Sequence, residues 1–237
     1  MNLTATTTVI TGAARGIGRS LAESLLAAGG RVILSDVDEA ALAQTVAEIA
    51  SDRARGVPAD VTRGASVAAL AAAAGDFNVW INNAGLARHR PITNYTEAEI
   101  DLMLAVNLKG TILGSQAALR GMIGRGGGHI VNIVSTAGLR GVPTETVYCA
   151  AKWGARGFTQ GLREEAAPHN VRVTALLPGG VDTAFWQGAT AARTLPTHHW
   201  LTARQVAAAV LALLALDDSV VPQELVLRAM HDRDFSS

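Results

Sequence analysis

Short apolar runs alternate with longer, alanine-rich stretches from one end of the chain to the other. The runs are apolar throughout, which is typical of strands buried on both faces of a sheet. Strands are predicted over residues 7–10, 31–35, 54–59, 79–81, 129–134, 171–177 and 224–227. Helical patterns cover residues 15–28, 39–50, 66–74, 96–122, 146–167 and 203–216. Strands separated by helices indicate βαβ units, and hence a parallel sheet with helices on both faces.

The length and composition favour a single domain. The chain has 237 residues, of which 49% are hydrophobic and 17% are charged. A chain of this size can bury one large core without a disulfide or metal, so we predict one domain over residues 1–237. The periodic pattern weakens over residues 184–202. A stretch of that length in a compact domain is often a lid or a binding segment, and we predict a substrate loop there.

Charge and cysteine content exclude several classes of protein. Lys and Arg number 20, as do Asp and Glu, so there is no sequence-wide attraction to nucleic acid or to an anionic membrane. The single cysteine, Cys149, excludes an intramolecular disulfide, and no metal site is expected. The N-terminus lacks the features of a signal peptide, and the longest apolar run, 206–216, is shorter than the roughly 20 residues of a membrane span. We therefore expect a cytoplasmic protein.

A glycine-rich turn joins the first predicted strand to the first helix. Its sequence, Thr11-Gly12-Ala13-Ala14-Arg15-Gly16-Ile17-Gly18, would let a phosphate approach the backbone at a helix N-terminus. Asp36 ends the second strand, where a carboxylate can accept the hydroxyls of an adenosine ribose. The alternatives are a simple strand–helix corner and an Asp36 that caps the next helix, although Asp38 can fill the capping role.

In this order and at these spacings, the motifs resemble the short-chain dehydrogenase/reductase family, in its compact one-domain form. The resemblance covers about residues 7–183 and implies an α/β, Rossmann-type doubly wound parallel sheet of about seven strands. The motifs are the glycine turn at 11–18, Asp60-Val61, Asn82-Asn83-Ala84-Gly85, Asn107 in VNLKG, Ser135, the pair Tyr148 and Lys152, and Pro178-Gly179-Gly180-Val181-Asp182-Thr183. The last quarter of the chain departs from the family pattern, so the substrate does not carry over.

The resemblance also implies the site residues. The catalytic set would be Asn107, Ser135, Tyr148 and Lys152, with Asn107 at a helix bend, binding a water that links Lys152 to solvent. The cofactor would contact Gly12, Arg15, Gly16, Ile17, Gly18, Asp36, Val37, Asp60, Val61, Asn83, Ala84, Gly85, Tyr148, Lys152, Pro178, Gly179, Val181 and Thr183.

Tyr148 and Lys152 are the pair on which the chemistry depends. They are four residues apart, so on a helix they share one face. A neighbouring ammonium favours the phenolate, and Tyr148 could then act as general base for alcohol oxidation and general acid for ketone reduction. Ser135 would hold the substrate oxygen nearby. Cys149 points about 100° away on a helix and is interpreted as a packed small residue rather than a nucleophile.

We expect NAD rather than NADP as the cofactor. Asp36 would place a negative charge against a 2′-phosphate, and Val37 stands where NADP-preferring members often carry arginine. Arg15 argues the other way, but it can swing into solvent. The family also implies a homo-oligomer, a dimer or tetramer, paired through the helices at 96–122 and 146–167.

The leading hypothesis is an NAD(P)-dependent oxidoreductase that acts on a secondary alcohol or its ketone. A lyase or epimerase on the same fold, and a non-enzymatic dinucleotide sensor, are kept as alternatives. The substrate is expected to be a mostly apolar carbonyl or alcohol under residues 184–202, contacted by Leu86, Leu139, Val142, Phe185, Trp186 and Trp200. A keto acid is second, because Arg88, Arg90 and Arg140 leave room for an anionic group.

Overall fold

The computed structural model describes residues 1–188 and 199–230. Its centre is a seven-stranded parallel sheet in the order β3-β2-β1-β4-β5-β6-β9, with β7 and β8 paired apart from it. The strands are β1 Thr7–Thr11, β2 Arg31–Ser35, β3 Ala54–Gly56, β4 Val79–Asn82, β5 Gly128–Ile133, β6 Val171–Pro178, β7 Val181–Asp182, β8 Leu201–Thr202 and β9 Glu224–Leu227. The predicted parallel α/β sheet is confirmed.

Helices cover both faces of the sheet. They are α1 Gly16–Ala27, α2 Glu39–Ile49, α3 Gly64–Ala74, α4 Glu97–Leu104, α5 Gly110–Ile123, α6 Thr146–Ala166 and α7 Ala203–Leu214. One core cluster joins α1, α2 and α7 to the sheet, and a second joins α3, α5 and α6 to the other face. Successive residues of β1 point to opposite faces of the sheet, so Ile10 belongs to the first core cluster and Val9 to the second. This explains why the central strands carry no polar face.

The chain order reverses beside β1. From β1 the sheet grows outward through β2 and β3, and the chain then returns to place β4 on the other side of β1. The loops after β1 and β4 therefore diverge and leave a crevice at the carboxyl ends of the strands, where ligands bind in open α/β sheets. At the carboxyl end of β4, a buried amide pair links that strand to β5: Asn82 Nδ2 donates to Asn132 Oδ1 at 2.8 Å.

Two elements differ from the sequence prediction. The third strand ends at Gly56 instead of residue 59. Val57 and Ala59 still donate to the carbonyls of Leu34 and Asp36, at 2.8 and 3.0 Å. The single helix predicted over 96–122 begins at the expected capping box but is interrupted by a π-helical turn, Ala105–Lys109.

The continuous helical stretch Glu97–Ile123 is long and apolar enough to cross a membrane by length and composition alone. In the fold it packs through α5 on α3 and on the sheet strands β4 and β5, and through α4 on α6. Its apolar side chains, such as Met103, Ala118 and Met122, are buried against these elements. Packing within the domain therefore accounts for its composition.

Candidate active site

A cleft of about 880 Å³ lies at the carboxyl ends of the strands. Residues that follow β1, β2, β3, β4, β5 and β6 all line it, respectively Gly12, Asp36, Asp60, Asn83, Ser135 and Gly179. Every cofactor residue proposed from the sequence lines this cleft except Gly18, which lies beneath the glycine turn. The sheet thus brings together segments that are separated by more than 160 residues of sequence.

The glycine turn requires glycine at two of its positions. Gly12 has φ +63°, and a Cβ there would lie 2.7 Å from the Cα of Ala84. A Cβ on Gly18 would lie 2.3 Å from the carbonyl oxygen of Gly12. Asn83 Nδ2 donates to the carbonyls of Thr11 and Gly12, both at 2.9 Å. The turn is therefore fixed against the loop after β4, with the N-terminus of α1 available to an anionic group.

Asp36, Asp38 and Arg15 form the end of the cleft that follows β2. Asp36 Oδ2 accepts from the backbone N–H of Ala14 at 3.1 Å. Asp38 caps α2, as predicted, by accepting from Ala41 N–H through Oδ1, and its Oδ2 binds Arg15 Nη2 at 2.6 Å. The Arg15 side chain is 59% exposed, so this is a surface ion pair, and its mobility stays a prediction.

Tyr148, Ser135 and Lys152 meet at the other end of the cleft. Tyr148 and Lys152 project from the same face of α6 and are buried. Ser135 is the hydrogen-bonding neighbour that lowers the pKa of the Tyr148 hydroxyl, and Lys152 Nζ lies 5.5 Å from the centre of the tyrosine ring. Lys152 Nζ also donates to the carbonyl of Ile133 at 3.0 Å. A proton donor, a hydroxyl partner and a cation therefore share one small volume.

Burial controls the protonation of this pair. It raises the pKa of Tyr148 above its usual value, the charge of Glu145 raises it further, and the Ser135 hydrogen bond opposes the rise. Burial lowers the pKa of Lys152 to about 8. Desolvation by burial therefore favours the neutral phenol and acts against the lowering of the Tyr148 pKa that is expected from Lys152. That lowering stays a prediction.

The sequence model described as short chain dehydrogenase matches residues 6–194 of this chain. The chain belongs to the short-chain dehydrogenase/reductase family. An uncharacterized oxidoreductase of Staphylococcus aureus (strain N315) is 36% identical over 224 residues, 93% of this chain and 95% of that protein. The sorbitol dehydrogenase of Cereibacter sphaeroides is 39% identical over 193 residues, 79% of this chain and 75% of that protein.

Solved structures agree with this assignment. An alcohol dehydrogenase from the archaeon Thermococcus sibiricus, complexed with 5-hydroxy-NADP, superposes with a TM-score of 0.87 at 30% identity, covering 96% of this chain and 98% of that one. A 3-ketoacyl-(acyl-carrier-protein) reductase from Brucella melitensis, complexed with NADH, gives 0.86 at 27% identity, covering 95% and 97%. The chain is therefore an NAD(P)-dependent oxidoreductase of this family, and its structural neighbours include both NADP-type and NADH complexes.

Asn107, the remaining member of the family's catalytic set, does not line the cleft. It lies on the π-helical turn, as the predicted helix bend requires, and it is fully buried. Its Nδ2 donates to the carbonyls of Leu86 and Met103 at 2.8 and 2.9 Å, and its Oδ1 accepts from Leu86 N–H at 3.2 Å. The side chain thus anchors the loop after β4, and the water-binding role stays a prediction.

Aromatic side chains close the cleft beside Tyr148. Phe185 and Trp186 stand on a short 3₁₀ helix, Ala184–Gly188. The ring centres of Tyr148 and Phe185 are 6.3 Å apart, those of Phe185 and Trp186 5.2 Å, and those of Trp186 and Trp200 5.1 Å. Residues 189–198 of the predicted substrate loop lie outside the described residues.

The other predicted substrate contacts divide into two groups. Leu86, Val142, Arg88 and Arg140 line the cleft with the aromatic residues. Leu139 does not, because it packs on the core cluster of Val134. Arg90 does not line it either, and its Nη1 binds Glu99 at 2.9 Å.

The sequence analysis missed His89 and Glu145, which both line the cleft. His89 Nδ1 lies 3.4 Å from Glu145 Oε1. The available signal for Glu145 was its position three residues before Tyr148, on the same side of the helix. Over residues 1–188 and 199–230, no group of three or more His, Cys, Asp or Glu side chains is placed to hold a metal ion.

Proposed function

We propose that this protein is an NAD-dependent dehydrogenase/reductase that interconverts a secondary alcohol and its ketone, with Tyr148 as the general acid and base. The proposal is carried by one observation: the Tyr148 hydroxyl meets Ser135 and Lys152 in a cleft that continues to the glycine turn and Asp36. A sensor protein has no need of this buried proton donor and its partners.

The cleft fits a nicotinamide dinucleotide. The turn around Gly12 and the N-terminus of α1 suit the pyrophosphate, Asp36 the adenosine ribose, and Asp60-Val61 the adenine. The segment from Pro178 to Thr183 and Lys152 would hold the nicotinamide riboside. When bound, the nicotinamide exchanges a hydride with the substrate carbon.

The chain's own residues then manage the proton and the substrate oxygen. The phenol of Tyr148 donates its proton to that oxygen in ketone reduction, and the Tyr148 phenolate accepts the hydroxyl proton of the alcohol in oxidation. Ser135 donates a hydrogen bond to the same oxygen and fixes its distance from Tyr148. Lys152 stabilises the phenolate that forms when Tyr148 gives up its proton. The apolar closure of the site excludes water and strengthens these interactions.

A panel assay tests this function. Purified protein would be mixed with NADH and ketones, and with NAD and the corresponding secondary alcohols, while absorbance at the reduced-nicotinamide band is followed. We expect turnover of members of both sets, reversible between each ketone and its alcohol. A protein that binds NADH but turns over no alcohol or ketone in either direction would contradict the proposed reaction.

The aromatic closure supports a substrate with an apolar arm. Large, rigid aromatic rings provide apolar contact area at little entropic cost. The substrates named for the relatives, sorbitol and an alcohol, are alcohols. We therefore propose that Phe185, Trp186 and Trp200 cover the carbon chain of an alcohol or ketone, as a lid over the catalytic end of the cleft.

Trp186→Ala tests the lid. The indole contacts His89, Phe185 and Trp200, and its loss should raise KM for hydrophobic ketones about tenfold, equivalent to ~1.4 kcal/mol. Steady-state kinetics over ketones of increasing chain length would measure this, with the shortest ketone as the internal control. Unchanged KM for the long ketones, or keto acids preferred by tenfold in the wild type, would contradict an apolar lid.

We also propose that the protein is a homo-oligomer, because large apolar side chains are exposed on α4 and α6. Trp153 on α6 is 48% exposed, and Leu102 on α4 is also exposed, on the two helical segments where pairing is expected. Exposed large apolar groups of this kind suit a helix–helix interface between copies. Light scattering at micromolar concentration should give a multiple of the 24.5 kDa chain mass, and Trp153→Glu should shift it toward the monomer. A monomer mass for the wild type would refute the interface.

A further inference from the structure

A buried polar pair, His89 and Glu145, lines the substrate end of the cleft. The side chains of His89 and Glu145 are only 5% and 14% exposed, and their Nδ1 and Oε1 atoms are 3.4 Å apart. Both residues line the cleft. Burying a carboxylate is costly unless it is paired or hydrogen-bonded, so the buried Glu145 depends on polar neighbours, of which His89 is one.

The pair lies between Tyr148 and the aromatic lid. Glu145 directly precedes α6 and lies three residues before Tyr148, and its charge acts on the tyrosine hydroxyl. The His89 ring packs edge-on against Trp186, with ring centres 5.2 Å apart. A substrate whose oxygen contacts Tyr148 and whose carbon chain lies under Trp186 would therefore lie close to this pair.

The chemistry of the pair selects a hydroxyl. A carboxylate accepts a hydrogen bond from an O–H, and an imidazole beside it can donate to or accept from the same oxygen. A carboxylate on the substrate would be repelled by the like charge of Glu145. A methyl group in the same place would give the polar pair no hydrogen bond. Arg88 and Arg140 line the same cleft, so a keto acid is the competing occupant that a test must include.

We propose that His89 and Glu145 form a hydroxyl subsite, and that the preferred substrate carries a hydroxyl on the carbon next to the reacting carbonyl or carbinol. The preferred substrates would thus be α-hydroxy ketones and vicinal diols with an apolar arm. This inference rests on the proposed alcohol–ketone reaction.

A purely structural role for the pair is the alternative, and the structure already fastens the same loop in other ways. Arg90 N–H donates to the carbonyl of Thr144 at 3.0 Å. The Tyr95 hydroxyl donates to the carbonyl of Arg88 and lies 3.3 Å from that of Thr144. These bonds tie the loop to the segment before α6 without using either side chain of the pair.

Three ketones with the same butyl arm separate the possibilities: 1-hydroxy-2-hexanone, 3-heptanone and 2-oxohexanoate. They place a hydroxymethyl, an ethyl or a carboxylate group beside the same carbonyl. We expect kcat/KM for the hydroxy ketone to exceed that of each of the others at least tenfold. Equal or better turnover of 3-heptanone, or of 2-oxohexanoate, would overturn the hydroxyl subsite while leaving the oxidoreductase function intact.

Variants distinguish recognition from scaffolding. Glu145→Met removes the acceptor at similar length and should bring the preference for the hydroxy ketone over 3-heptanone to within threefold of unity. Glu145→Gln keeps a hydrogen-bonding group and should restore part of the preference. Arg90→Gln breaks the neighbouring ion pair outside the cleft and should leave the preference unchanged. A parallel loss on all ketones in Glu145→Met would indicate a structural role and overturn the proposal.

Binding tests the subsite apart from turnover. Calorimetric titration of 1,2-hexanediol and of 3-heptanol into the protein–NADH complex should give at least fivefold tighter binding of the diol, lost in Glu145→Met. Equal binding of the two alcohols would overturn the subsite. Preferential binding of the diol with no turnover in either direction would count against the proposed reaction and support the subsite.

Discussion

Tyr148→Phe is expected to lower kcat at least about 10²-fold, the usual scale for loss of a general acid–base group. The substitution keeps the buried ring, its position on α6 and its neighbour Phe185. It removes only the hydroxyl that bonds Ser135 and would hand a proton to the substrate oxygen. Because the same group gives up the proton in ketone reduction and takes it back in alcohol oxidation, the loss should be as severe in one direction as in the other.

The measurement is steady-state kcat in both directions, together with the Kd for NADH from fluorescence titration. NADH should bind the variant with nearly the wild-type Kd, because the glycine turn and Asp36 are untouched. Cys149→Ala is the matched control: its thiol is buried beside Tyr148, and burial raises its pKa, so it should be inert. Near-normal turnover in Tyr148→Phe, or a comparable loss in Cys149→Ala, would refute the assignment.

The sequence was informative where the chemistry is local. A strand, a turn that must be glycine at Gly12 and Gly18, and a helix follow one another in the chain, so their spacing predicts the turn. The same holds for Tyr148 and Lys152, since a separation of four residues on a helix fixes a shared face. The buried sheet was predictable because parallel strands need apolar residues on both sides.

Contacts between distant segments were not predictable in this way. His89 and Glu145 are 56 residues apart (145 − 89) and meet only because two loops fold over the same end of the sheet. The placement of Arg90 outside the cleft depends on its partner Glu99 in the next helix. The Tyr148 pKa depends on how completely the ring is buried, which a spacing argument cannot supply.

The wild-type protein is expected to use NADH with a kcat/KM about 10²-fold above that for NADPH. A 2′-phosphate placed about 4 Å from Asp36 would cost about 4 kcal/mol at an effective dielectric near 20, and salt screening reduces the observed effect. The surface pair between the Arg15 guanidinium and Asp38, at 2.6 Å, competes with a 2′-phosphate for Arg15 and reduces the compensation that Arg15 can give. The charge of Asp36 and the restraint on Arg15 therefore act in the same direction.

Two substitutions separate these contributions. Asp36→Asn removes the repulsion and should reduce the NADH preference by roughly tenfold or more, mainly through a lower KM for NADPH. Asp38→Asn retains the side-chain cap on Ala41 N–H, since Asn is as good a cap as Asp, but releases Arg15. It should improve kcat/KM for NADPH severalfold and change that for NADH little. Adding Arg15→Ala to Asp38→Asn should cancel the gain.

Higher kcat/KM with NADPH than with NADH in the wild type would refute the NAD assignment. A gain in Asp38→Asn that survives the loss of Arg15 would refute the role of the Arg15–Asp38 pair.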